Sequence, residues 1–257
     1  MTHINLGYSY AQSYRSDSRP FYNLENSDFE DMGIDRLHES AGSLSPFLDR
    51  MDSYHASRWT RQHGPALTLE GISWGNNTGF DYAIGVPFLF SYDRLDYQRA
   101  ALDTVPTRRE FYVAPYFNFG LSRRDGPKKK GLELKYSYTR SLPDLLQTLD
   151  YRDESTPLVV SSGNPDLKAS ARHNSSLRLF SENSENYGLA SLSLYYNLYE
   201  NLVRQSMVYD KASGIRTYRP QNTSGNWDAG MGFEYFFPTG KANRRISSFT
   251  DIRYANN

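Results

Sequence analysis

The sequence predicts an all-β protein, an antiparallel up-and-down sheet, on three observations: a sustained period-two alternation, no segment with a persuasive 3.6-residue period, and connections that alternate between short and long. The clearest strand is Leu132 to Thr139, where every even position is apolar or aromatic and every odd one polar. The same alternation places Ile4, Leu6, Tyr8 and Tyr10 on one face, then Tyr82, Ile84, Val86, Phe88, Phe90 and Tyr92. It recurs in Phe111, Val113, Phe117, Phe119 and Leu121, and in Leu177 and Leu179. Leu192, Leu194, Tyr196 and Leu198 follow, then Met231, Phe233, Tyr235 and Phe237, and a last run from Ile246 to Tyr254. The template yields about nine strands. Pro87 and Pro115 fall inside strand patterns, where proline removes a ladder donor, so bulges or irregular pairing are expected there. Met32 to Met51 carries scattered leucines interrupted by Gly42 and Pro46 and does not read as a helix.

The connections give the sheet a direction. Turn-forming residues cluster at Gly75–Gly79, Asp125–Gly131, Ser184–Tyr187 and Pro238–Asn243. Between them lie longer polar stretches, Arg15 to about Ser53, Arg99–Arg108, Leu142–Lys168 and Asp210–Asn222, which all emerge at the same end of a meander. Tight turns at one rim, extended loops at the other and alternating strands of about ten residues are the pattern of a transmembrane β-barrel from a bacterial outer membrane. Hydrocarbon leaves no water for unpaired backbone groups, so only helices and closed sheets cross it. No run of about 18 apolar residues is present, and this excludes membrane-spanning helices. A barrel strand shows only half its side chains to lipid, which fits a mean hydropathy of −0.69. Tyr92, Tyr97, Tyr138, Tyr187 and Tyr209 stand near strand ends and suit the aromatic girdles at the headgroup levels.

Charge and chemistry exclude other classes. With 29 basic and 29 acidic side chains the net charge is zero, without the basic footprint of a nucleic-acid binder. The absence of cysteine removes disulfides, thiolate metal sites and Cys nucleophiles. His3, His38, His55, His63 and His173 are too dispersed for a local metal motif, so neither a metal nor another cofactor is expected. The acidic clusters Asp28-Phe29-Glu30-Asp31 and Asp153-Glu154 sit in loops and read as solvated surface, not as a catalytic carboxylate pair, and the chain is read as a non-enzyme. Arg58, Trp59, Arg61, Tyr151 and Arg152 are placed in extracellular loops, as candidates to contact an arriving ligand. Leu132, Leu134, Tyr136, Tyr138, Leu192, Leu194, Tyr196 and Leu198 are assigned to the lipid, and Glu133, Lys135, Arg178 and Glu234 to polar ladders on the inner wall.

Thr156 to Ala169 contains Gly163-Asn164-Pro165-Asp166-Leu167-Lys168, preceded by Tyr138, Arg140, Pro143 and a leucine-rich stretch ending at Asp150. This resembles the Gly-Asn-Pro-x-Leu-Lys-Pro-Glu motif and its flank in the barrels of TonB-dependent receptors and the related outer-membrane β-barrel protein family. The resemblance implies a structural role for these six residues, closing a long extracellular loop before the next descending strand. The chain departs from the pattern at Ala169-Ser170, where Pro-Glu is usual. Residues 1–257 are accordingly expected to be one partial, open outer-membrane barrel domain, with the plug domain and the remaining strands absent. The implied function is a share in the barrel of a receptor for energy-coupled ligand uptake. Its partners would be outer-membrane lipid, the plug of the full-length chain, a TonB-type energy transducer and a small ligand, with no nucleic acid. Two alternatives remain on the pattern: a plug-free porin or structural outer-membrane protein, and a soluble glycan-binding β-sandwich with its aromatic rows packed between two sheets.

Overall fold

The computed structural model describes residues 1–23, 45–99, 102–156, 158–239 and 244–256. Asp28-Phe29-Glu30-Asp31, His38 and most of Met32–Met51 lie outside the described residues, as does the turn after Thr239. The strands are β1 (Thr2–Tyr22), β2 (Leu48–Gly75), β3 (Thr78–Arg99), β4 (Leu102–Thr104), β5 (Thr107–Val113), β6 (Tyr116–Asp125), β7 (Lys128–Ser141) and β8 (Arg152–Thr156). They continue as β9 (Val159–Ser162), β10 (Ser170–Asn183), β11 (Gly188–Glu200), β12 (Leu202–Tyr209), β13 (Arg216–Thr223), β14 (Asn226–Thr239) and β15 (Arg244–Asn256). The main sheet is antiparallel throughout, in the order β1-β2-β3-β6-β7-β10-β11-β14-β15, with β4 and β5 also paired to β3. This is the predicted open wall, nine strands along the path, with β1 and β15 at its two edges. The remaining β12, β13, β9 and β8 form a separate sheet at the long-loop end.

The turns follow from residue chemistry. Asn76 and Asn77 take φ of 48° and 63°, the left-handed pair a two-residue hairpin requires, and asparagine tolerates it. Gly126, at φ 55°, opens the turn between β6 and β7 and frees the next position for Pro127. Pro115 separates β5 from β6, but Gly85 faces Tyr116 and Phe88 faces Val113, so the register is unchanged across the gap. The expected irregularity at Pro87 and Pro115 is therefore only the loss of their ladder donors, without a bulge: their carbonyls still accept from the Ala114 and Tyr138 N–H groups at 3.0 and 2.9 Å.

Register joins the apolar rows of separate strands into one face. Leu134 lies opposite Phe119 on β6 and Leu177 on β10, and Leu177 lies opposite Leu194, itself opposite Met231. Leu132, Tyr136 and Tyr138 share the face of Leu134, as do Leu192, Tyr196 and Leu198 across the next strands. Among the described residues no second layer covers these rows: Leu134, Leu194, Tyr196, Phe233 and Ile252 are all exposed. That rules out the sandwich, whose stability needs such rows dry between two sheets. On β3 the apolar face runs from Phe80 to Phe90, about 33 Å of strand, which at a tilt of about 40° spans the ~25 Å of an outer-membrane apolar band. β2 has 28 residues and β3 has 22, so the strands are longer than the ten expected and continue well beyond the lipid on the long-loop side.

Tyr138 and Tyr136 flank His173, whose Nδ1 lies 2.9 Å from the Tyr136 hydroxyl, and Tyr10 and Tyr8 flank His63 in the same way. Tyr196, Trp227 and Tyr254 continue the aromatic series. Of the other predicted girdle tyrosines, Tyr92 closes the apolar row of β3, whereas Tyr97 is buried on the opposite face. Tyr187 occupies a tight turn and Tyr209 the separate sheet.

Candidate functional site

The polar face carries the expected ladders. Glu133 reaches Lys135 at 3.7 Å and Arg178 at 3.6 Å, and Ser191 Oγ donates to Glu234 at 3.4 Å. Close strand packing on this face depends on glycine. The Tyr116 ring lies over Gly85 and the Tyr195 ring over Gly230, where any Cβ would meet the ring, and the Tyr116 hydroxyl is 3.3 Å from Thr68 Oγ1.

Beyond Tyr92 the alternation of β3 changes phase. Below it the apolar residues take even positions; above it Leu95 and Tyr97 take odd ones and turn toward the polar side. The loop after β7 answers them, burying Leu145 against Leu95 and Tyr97, with Leu146 and Leu149 beside it. Asp144 holds the start of the short 3-10 turn Leu146–Thr148 by accepting from the Leu146 N–H at 2.9 Å. Thr148 Oγ1 donates to the Leu145 carbonyl at 2.7 Å.

Arginines of the wall clamp this loop. Arg58 of β2 binds Asp144, Arg99 of β3 binds Asp153, and Arg108 of β5, held within the wall by Asp93 at 2.7 Å, donates to the Pro143 carbonyl at 2.8 Å. Arg140 lies 3.7 Å from Glu110 and over the Tyr112 ring. Burial, reinforced by Tyr97 and Asp153, holds the Tyr151 phenol above its usual pKa. Between the loop and the wall lies an open pocket of about 660 Å³, lined by Arg108, Glu110, Arg140, Leu145, Lys168 and Glu200 among others.

The Gly163–Lys168 segment ties this loop to the next one. Gly163 packs so closely on the Leu149 carbonyl that a side chain would overlap it. The Asn164 side chain accepts from the Asp166 N–H at 3.1 Å and donates to the Pro220 carbonyl of β13 at 2.9 Å. Asn222 of β13 brackets Lys168, accepting from its N–H at 2.8 Å and donating to its carbonyl at 3.0 Å. The stretch read as a loop at Asp210–Asn222 thus contributes β13, which pairs in parallel with β9. Asn201, at φ 50°, is where the chain leaves the wall for this second sheet, and its carbonyl accepts from Asn222 and Ser170.

The predicted ligand residues divide. Arg58, Trp59 and Arg61 are not in a loop but within β2, because that strand runs far past the lipid. Arg58 faces the clamped loop, while Trp59 and Arg61 point to the other side, with Trp59 4.4 Å from the Tyr14 ring. Tyr151 is half-buried beside the Arg99–Asp153 pair, and Arg152 is exposed and paired with Glu154. Sequence reasoning missed Arg99, Arg108, Asp93 and Asp144, and noted Arg140 only in the flank of the motif. The phase change after Tyr92 was the available signal, since it marks where the inner face acquires something to pack against.

The family model of the outer membrane protein beta-barrel family matches residues 95–256, well over half the chain. No curated protein matches the chain. Among solved structures, the siderophore receptor PirA from Pseudomonas aeruginosa aligns with a TM-score of 0.45 and 13% identity, over 79% of this chain and 46% of that one. The chain thus spans under half the length of that receptor. With an open antiparallel wall, one exposed apolar face and one laddered polar face, the chain belongs to the outer membrane protein β-barrel family, and its location is the bacterial outer membrane.

Proposed function

We propose that this chain is part of the barrel of an outer-membrane receptor for TonB-dependent, energy-coupled uptake of a small ligand. The observation that carries the reading is the open wall, whose edge strands β1 and β15 pair on one side only among the described residues. An unpaired edge is not tolerated in hydrocarbon, so further strands complete the ring. A ring larger than this wall encloses a lumen too wide for its own side chains to fill, which leaves room for a plug domain of the full-length chain. The clamped loop suits a receptor, since it folds over the polar face and presents mixed charges on the side from which a ligand would arrive. In this reading the wall catalyses nothing; it crosses the lipid, holds the plug and gathers the ligand, and a TonB-type transducer supplies the energy.

The test is uptake by cells expressing the full-length protein, screened with labelled candidate ligands in the presence and absence of the energy transducer. Accumulation that stops when the transducer is deleted is the expected result. Transducer-independent entry, with large ohmic conductance of the purified protein in a bilayer, would make it a diffusion pore.

A further inference from the structure

The turn between β6 and β7 carries five cations within eight residues, Arg123, Arg124, Lys128, Lys129 and Lys130, against one acid, Asp125. Pairing sets like charges directly opposite each other: Arg123 faces Lys130 and Arg124 faces Lys129. Such pairs are destabilising in a sheet. Among the described residues none of the five forms an ion pair; Lys129 instead lies over the Phe180 ring, at 5.3 Å. The turns on either side are neutral or acidic, Asn76-Asn77 and Ser184-Glu185-Asn186-Tyr187.

The platform is fixed on both sides. The Arg124 N–H donates to the Asn77 carbonyl of one neighbouring turn at 2.7 Å, and the Ser184 N–H of the other donates to the Pro127 carbonyl at 2.9 Å. Its two like-charged pairs also differ in direction. Leu121 and Leu132 face each other on the apolar side, and Arg123 and Lys130 are the next pair on that same side. Arg124 and Lys129 point to the polar side. Short turns lie on the periplasmic side of an outer-membrane wall, so the outward pair stands at the headgroup level of the inner leaflet.

We infer that Arg123 and Lys130 form a binding site for the phosphate of an anionic phospholipid in the periplasmic leaflet. Acyl chains lie along the Leu121–Leu132 row while the headgroup neutralises the facing cations. The site explains why the hairpin keeps a repulsive pair, and it does not depend on ligand uptake or energy coupling.

Native mass spectrometry of the full-length protein in detergent tests it, with phosphatidylglycerol and phosphatidylcholine as probes. The wild type should prefer phosphatidylglycerol. The double variant Arg123→Gln/Lys130→Gln should bind it about thirtyfold more weakly, the loss expected for two cations at a lipid surface, while Arg124→Gln/Lys129→Gln keeps the wild-type affinity. Equal losses in the two double variants would mean that the lipid responds to the net charge of the turn and not to the outward pair, and would overturn the proposal. So would a wild type without preference for the anionic lipid. Heat-modifiable gel mobility reports whether each variant is folded; should the double variant not fold, the wild-type preference and Lys130→Gln alone decide.

Discussion

Arg108 donates from Nε and Nη2 to one oxygen of Asp93, at 3.2 and 2.7 Å, while its Nη1 reaches the Pro143 carbonyl at 2.8 Å. One guanidinium therefore joins β3, β5 and the loop after β7. Replacing it with Met leaves the Asp93 carboxylate, 8% exposed, without its counter-charge. Local stability of the loop should fall by about 3 kcal/mol, the low end for breaking a buried pair. Hydrogen exchange at residues 143–151 of the full-length protein measures it, and unchanged protection there would mean that the clamp contributes nothing.

Gly163→Ala forces a methyl group onto the Leu149 carbonyl, a contact between backbones that cannot swing aside as a side chain can. The expected cost is about 1–3 kcal/mol, confined to the loop. Trypsin cleavage after Arg152 and Lys168 should accelerate, while the wall strands stay protected.

Asn222→Ala removes the bonds to the Lys168 N–H, the Lys168 carbonyl and the Asn201 carbonyl together. The junction between the two extracellular loops should loosen by about 1–3 kcal/mol. Faster amide exchange at both 163–169 and 216–223 is the expected signature, and loss at only one of them would show that the loops are held by other contacts.

The two faces of the wall should respond oppositely to charge. Leu134→Arg places a cation on the apolar face and should destabilise the full-length protein in lipid vesicles by about 2–4 kcal/mol, as measured by urea unfolding. Ser193→Arg, on the polar face opposite Arg178 and Gly232, should be much milder. The reverse ranking would mean that the faces are assigned backwards.

Tyr151 gives the loop a pH limit. Its raised pKa favours the neutral phenol in the folded loop. The stabilisation is therefore full below the ordinary tyrosine pKa, about 10, and is lost as pH rises through the higher folded value. Phenolate absorbance at alkaline pH should show a late-titrating tyrosine that disappears in Tyr151→Phe, together with the alkaline loosening of the loop.

Much of the wall was legible in the sequence because a strand with lipid on one side and water on the other must alternate, and each alternating run can be read without knowing its neighbours. Leu132–Thr139 and Leu192–Leu198 are of this kind, as are the turns at Asn76-Asn77 and Gly126-Pro127, whose backbone conformations demand those residues. The sorting of long and short connections likewise needed only residue order.

Tertiary structure alone decided which residues meet above the lipid. Arg58 was singled out, but its partner Asp144 stands 86 positions away, and Arg99 and Arg108 showed no local sign of their role. Strand periodicity is a local property, imposed by the backbone and the solvent on each face. The clamp, the Asn222 bracket and the second sheet come from long loops folding back on the wall, a choice made by packing and charge between segments far apart in the chain.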